Sequence, residues 1–202
     1  MYRVSTSLDV ADFLVDEAGR RALSAARAPG EQLFVLEEPD GLLVSLFVDE
    51  GALRRLATHD PRRCLDERNL PDFLLALEGV SHFVYLASRM QHERPVSAVE
   101  LELQAEVDKF AVLLLVGWGQ GGAHVGRLRD RLFHRIRYLP DLSADERSRY
   151  LLANEAANDY CRALEHRFVN RRAADELLVE LRRFYQQGLA GKLDRVSSLR
   201  AA

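Results

Sequence analysis

The chain is poor in several residues that usually announce a function. It has two cysteines in 202 residues, Cys64 and Cys161. They stand far apart with no metal-type spacing and no disulfide framework, which suits a reducing cytoplasm. Only two lysines occur, Lys109 and Lys192, against many arginines. The skew runs through the whole chain and reads as the mark of a GC-rich, bacterial-type genome. No charge of either sign dominates: the net charge is -3 and the pI about 6.1, so no global field marks a polyanion binder. The longest apolar run, Phe110 to Val116, is far short of the roughly 20 residues a membrane span requires. The start, Met1-Tyr2-Arg3-Val4-Ser5-Thr6, lacks the apolar core of a signal peptide. The expectation is a soluble cytoplasmic protein.

Catalytic signatures are missing too. There is no G-x-S-x-G elbow and no cysteine beside a local His/Asn signature. Internal repeats and low-complexity stretches are absent. What remains is an ordinary globular composition, 48% apolar and 29% charged, able to bury a substantial core.

Periodicity supplies the fold class. Gln32–Glu37 and Leu42–Val48 are rich in Val, Leu and Phe, and Glu38-Pro39-Asp40-Gly41 lies between them. Proline presets φ for a turn and glycine takes the positive φ that follows, so a β-hairpin is expected. Asp49 caps a short helix over residues 50–57, and residues 58–68 read as a charged linker. Asn69, Pro71 and Asp72 then open a long helix to about Gln91, with Phe73, Leu77, Val80, Val84 and Ala87 on one stripe. Ser97 and Glu100 form a capping box for a second helix reaching Gly117.

Further helices are predicted over residues 124–139, from Ser143 to about Phe168, and over residues 173–187. Ser143 and Glu146 make another capping box, and the polar, small-residue tail from Leu189 is expected to fray. The predicted class is α+β, mainly α: a helix and β-hairpin region over residues 1–66 packed on an antiparallel helical bundle over residues 67–202, the two forming one compact domain or two.

Three constellations invite a functional reading. Gly117, Gly119 and Gly122 satisfy G-x-G-x-x-G, the fingerprint of a dinucleotide fold. Their context is helical: no second strand carries a ribose-binding acid, and no GK[ST] ending follows. The run reads as an interhelical loop with Trp118 as an anchor for packing or for a partner. Glu78 and His82 share one helix face at i, i+4, and Glu106 lies on the next helix, so these three are the candidate metal ligands. A carboxylate-bridged bundle centre uses Glu-x-x-His from two helices. Here the spacing is Glu-x-x-x-His and occurs once, so the plainer expectation is a polar network in which Glu106 and Asn158 find partners. Arg127, Arg131 and Arg135 at i, i+4, i+8 make a basic helix face that could meet phosphates or an acidic partner.

No cofactor is implied by a fingerprint in context. The reading that follows is a non-enzymatic interaction, adaptor or assembly protein, joined to a protein partner or to copies of itself. Its rivals are a metal- or small-ligand-binding bundle enzyme using Glu78, His82 and Glu106, and a nucleic-acid binder using the Arg127, Arg131 and Arg135 face.

Overall fold

The computed structural model describes residues 1–2, 4, 6–24, 30–39, 41–118, 125–134 and 143–200. The fold is α+β and mainly α, with eight α-helices and a small three-stranded sheet among those residues. Contacts divide the chain into two compact units, Thr6–Ser88 and Met1–Ser5 with Arg89–Ala202. The helical region was expected to begin at residue 67. By contacts, residues 70–88 of the first long helix group with the hairpin.

The hairpin unit is built on β2 (Glu31–Glu38) and β3 (Gly41–Val48). They pair antiparallel from Glu31↔Val48 to Glu38↔Gly41, where Gly41 takes φ +148°. A non-glycine residue would be strained there, which is why the turn sequence ends in glycine. A short strand unmarked in the sequence, β1 (Leu14–Val15), adds in parallel on the other side of β3. The order is β1-β3-β2, so β2 is an outer strand.

Helix α1 (Glu17–Leu23) begins at Asp16, whose side chain accepts from the Gly19 amide. Helix α2 (Glu50–Thr58) begins at Asp49, whose carboxylate accepts from the Ala52 amide at 2.8 Å. The Arg55 guanidinium then grips Asp72 through two bonds of 2.8 and 2.7 Å, tying α2 to the start of α3 (Leu70–Met90). Asn69 does not merely precede α3. Its buried amide donates to the His59 and Cys64 carbonyls and accepts from the Asp66 amide, fastening the connecting segment.

The core of this unit is Leu46, Val48 and Phe83, packed by Phe13, Leu33, Ala76 and Val84. Each such side chain contributes about 1.5–3 kcal/mol by leaving water. Helix α3 has the length and hydropathy of a membrane span, but it supplies this core. The sheet lies close on α3 at Gly79: a Cβ there would stand 2.9 Å from Glu31 Oε2 and 3.0 Å from Leu46 Cδ1.

The helical unit holds α4 (Ala98–Trp118), α5 (Val125–Phe133), α6 (Ala144–Leu164), α7 (Ala174–Gln186) and α8 (Leu189–Arg200). The Ser143/Glu146 capping box is complete, with each side chain bonded to the other residue's backbone. Helix α6 ends in a π-helical turn, Glu165–Val169, before Asn170, so the predicted run to Phe168 is continuous but changes pitch.

Residues 189–200 of the tail, expected to fray, form α8, because Lys192, Val196 and Leu199 at i, i+4, i+7 are buried. The stripe escaped recognition because its first member is a lysine. Of the predicted helix over residues 124–139, Val125–Phe133 is helical and His134 forms a turn; residue 124 and residues 135–139 lie outside the described residues.

Candidate functional site

In the hairpin unit two features stand out. The first is the hairpin itself. Its base is buried, but its outer half is exposed on both faces: Val35 42%, Leu36 46%, Leu42 38% and Leu43 45%. Register sets Val35 opposite Val44 and Leu36 opposite Leu43, so neighbouring aliphatic pairs point to opposite faces. Exposed Glu37 and Glu38 follow on β2, an outer strand of the sheet among the described residues.

The second feature is at Gly79. His82 is buried on α3, and its Nδ1 stands 3.5 Å from Glu31 Oε1, a carboxylate that is itself mostly buried. Glu78 lies one turn before His82, and each offers a ligand atom within 4.8 Å of the other. Helical spacing alone revealed that pair. Glu31 was not foreseen, because it opens a strand far away in sequence. The available clue was a glycine inside an apolar helix stripe, which marks a close approach.

Glu106, the third predicted ligand, belongs to the helical unit. It accepts from Lys109 Nζ at 2.9 Å, one turn along α4. Asn158 takes Arg129 Nη1 at 2.9 Å and meets His134 at 3.3 Å, while Arg129 also reaches Glu165 at 3.3 Å. Both Glu106 and Asn158 are thus engaged in polar networks, and Arg129 turns out to tie α5 to α6. Of the predicted basic face, Arg127 and Arg131 lie on α5, and Arg135 lies outside the described residues. Trp118 closes α4. The remainder of the glycine run, residues 119–122, is likewise outside them, and Gly117 is part of the helix.

The helical unit also carries polar residues deep in its core that spacing did not reveal. Tyr2 donates to Asp108, and Gln104 Nε2 donates to Asp108 at 2.8 Å and to the Tyr2 hydroxyl at 3.1 Å. Lys192 Nζ donates to Gln104 Oε1 and to the Phe184 carbonyl, and stands 4.3 Å above the Phe184 ring. Burial pulls the Lys192 ammonium down to about 7, even though Asp108 and Glu100 favour its charge. Burial and Asp108 push the Tyr2 phenol well above its ordinary value.

A second set joins the α7–α8 junction. Arg89 donates to the Gln186 and Gln187 carbonyls, and its ion pair with Glu100 spans 3.0 Å. Glu100 in turn accepts from the Leu189 amide at 3.0 Å. A cation therefore meets the carbonyl end of α7 and an anion the amide end of α8, as helix dipoles favour. Of the predicted Ser97/Glu100 box, the Ser97 hydroxyl does accept from the Glu100 amide. A third set is Glu180, gripped by Arg195 at 2.8 and 2.6 Å and reached by the Tyr160 hydroxyl at 3.3 Å.

On α2, a depression of about 270 Å³ is lined by Gly51, Arg54, Arg55, Thr58 and His59. Arg55 is committed to Asp72 and Arg54 to Glu50. No protein-family model, curated protein sequence or solved structure matches this chain.

Proposed function

We propose that this protein is a non-enzymatic interaction protein, an adaptor or assembly component of a bacterial-type cytoplasm, and that it takes its partner on the outer edge of β2. The observation that supports this reading is the outer half of the hairpin. Four aliphatic side chains lie exposed there on two faces of a single ribbon. An outer strand presents unpaired backbone donors and acceptors, and proteins normally blunt or cover such an edge. An extended segment added as a further strand satisfies those groups and seats alternate side chains on both faces. The charge pattern specifies the segment further. Exposed Glu37 and Glu38 follow the aliphatic pair, so the matching strand is aliphatic at its centre and basic where it passes them.

The test is a photo-reactive phenylalanine analogue placed at Leu36 in the full chain, in its own host cell. Val179, which is 62% exposed, is the control position. A discrete adduct with a different protein is expected at 36, absent at 179 and lost in the Glu37→Lys/Glu38→Lys variant. Adducts no stronger at 36 than at 179, or adducts only with a second copy of this chain, would overturn the reading.

A further inference from the structure

We propose that the slot holding the Tyr2 side chain in the helical unit is a phenol-binding site, and that Tyr2 fills it as a displaceable plug. The site is separate from the hairpin edge. Three groups on two helices define its ligand. Tyr185 of α7 stacks on the Tyr2 ring, with centroids 4.1 Å apart. Asp108 of α4 accepts from the phenol hydroxyl, and Gln104 Nε2, one turn earlier, donates to the phenol oxygen at 3.1 Å. Asp108, Gln104 and Tyr185 are all buried, Gln104 completely. Lys192 of α8 donates to Gln104 Oε1 and so orients that amide, leaving Nε2 turned to the hydroxyl.

A hydroxyl that must donate to a carboxylate and accept from an amide is selected as a neutral phenol. A phenolate would face the Asp108 carboxylate; burial, then Asp108, already push the Tyr2 phenol well above its ordinary value. A ring without the hydroxyl would leave Asp108 and Gln104 each short of one bond, which is how a polar site rejects an isostere. Walls and plug come from separate parts of the chain. Helices α4, α7 and α8 build the slot, whereas its occupant lies 102 positions before Gln104. The arm is fastened further where the Met1 carbonyl accepts from Arg182 Nε at 3.0 Å, a bond that is exposed to water. Tyr2 itself is only half-buried, so the slot opens to solvent along the arm. A phenol from solution takes the same three contacts once the arm leaves.

The experiment uses the full chain carrying Tyr2→Ala near neutral pH, where simple phenols are protonated. It is titrated with p-cresol, the tyrosine side chain as a free molecule, and with toluene, which lacks the hydroxyl. One equivalent of p-cresol is expected to bind by calorimetry, with a Kd of about 1 mM or lower, and to raise the variant's melting temperature towards the parent's. Toluene should bind at least about tenfold more weakly. The parent should also bind p-cresol at least about tenfold more weakly than the variant, because Tyr2 must leave first. No binding or thermal rescue by p-cresol, equal affinity for toluene, or equal affinity of parent and variant would each overturn the proposal. Tyr2→Phe keeps the ring and tests the same recognition without added ligand. It should melt below the parent, and an unchanged melting temperature would show that the hydroxyl is not recognised and overturn the proposal as well.

Discussion

Lys192 gives the helical unit a defined pH dependence. Its ammonium is wholly buried and lies between Gln104, the Phe184 carbonyl and the Phe184 ring. Desolvation outweighs the favourable charges of Asp108 and Glu100 and lowers its pKa from 10.5 to about 7. Arg89 opposes the charge as well. In the unfolded chain the amine keeps its ordinary pKa, so between pH 7 and 10.5 the unfolded state binds more protons than the folded one. Stability must therefore rise with pH across that window and fall as pH is lowered towards 7. The full shift corresponds to about 5 kcal/mol, and the part recovered between pH 7 and 9 is about 2 kcal/mol. That upper limit stays below the range in which unfolded tyrosines ionise.

The perturbation is Lys192→Met, which keeps most of the volume and removes the titration. It also leaves Gln104 Oε1 and the Phe184 carbonyl without this donor, a loss of about 1–3 kcal/mol each that offsets the charge no longer buried. At pH 7 the variant should therefore lie near the parent, and at pH 9 below it. Urea unfolding at pH 7, 8 and 9 measures this, followed by fluorescence of the single tryptophan, Trp118, at the end of α4. The parent's midpoint should climb relative to the variant's by the equivalent of about 2 kcal/mol. Parallel pH profiles for the two proteins would refute the claim that Lys192 is a desolvated amine.

Two further outcomes follow from local structure. Ser143→Ala removes the hydroxyl that accepts from the Glu146 amide at the start of α6, and should cost about 1 kcal/mol in urea unfolding, whereas an unchanged midpoint would mean that this cap contributes nothing. A thiol-specific reagent should label one equivalent in the native protein and two in denaturant, because Cys64 is exposed while Cys161 is buried with its thiol pushed up by desolvation. Rapid native labelling of both would place Cys161 outside the core.

What could be read from the sequence was what depends on near neighbours. The hairpin turn, the Asp49 cap, the Ser143/Glu146 box and the stripes of the long helices are each determined within a few residues. They set the mainly α class. The candidate site was legible only as far as one helix turn: Glu78 and His82 share a face by spacing, but Glu31 meets His82 across 51 positions of sequence. The same limit explains the α7–α8 junction. Glu100 has a capping-box spacing from Ser97, but its carboxylate meets Arg89 and the Leu189 amide, which a local pattern does not encode.

The lysines carry the last step. Their scarcity looked like genome composition, but composition does not say where the remaining two should sit. Both are buried: Lys109 beside Glu106, and Lys192 beside Gln104 over an aromatic ring. Arginine, with its planar fork, makes the two-bond grips on Asp72 and Glu180. Lysine is a compact charge on an apolar stem, and it can give up its proton when water is withdrawn. At residue 192 that property lets a helix stripe begin with a polar residue and still close on a core. Arginine at 192 would have to remain charged in the same space, so it should destabilise α8 at every pH, while methionine should match lysine at neutral pH. That ordering, Lys192→Arg below Lys192→Met at pH 7 in urea midpoint, distinguishes a lysine chosen for its titration from one retained by composition alone.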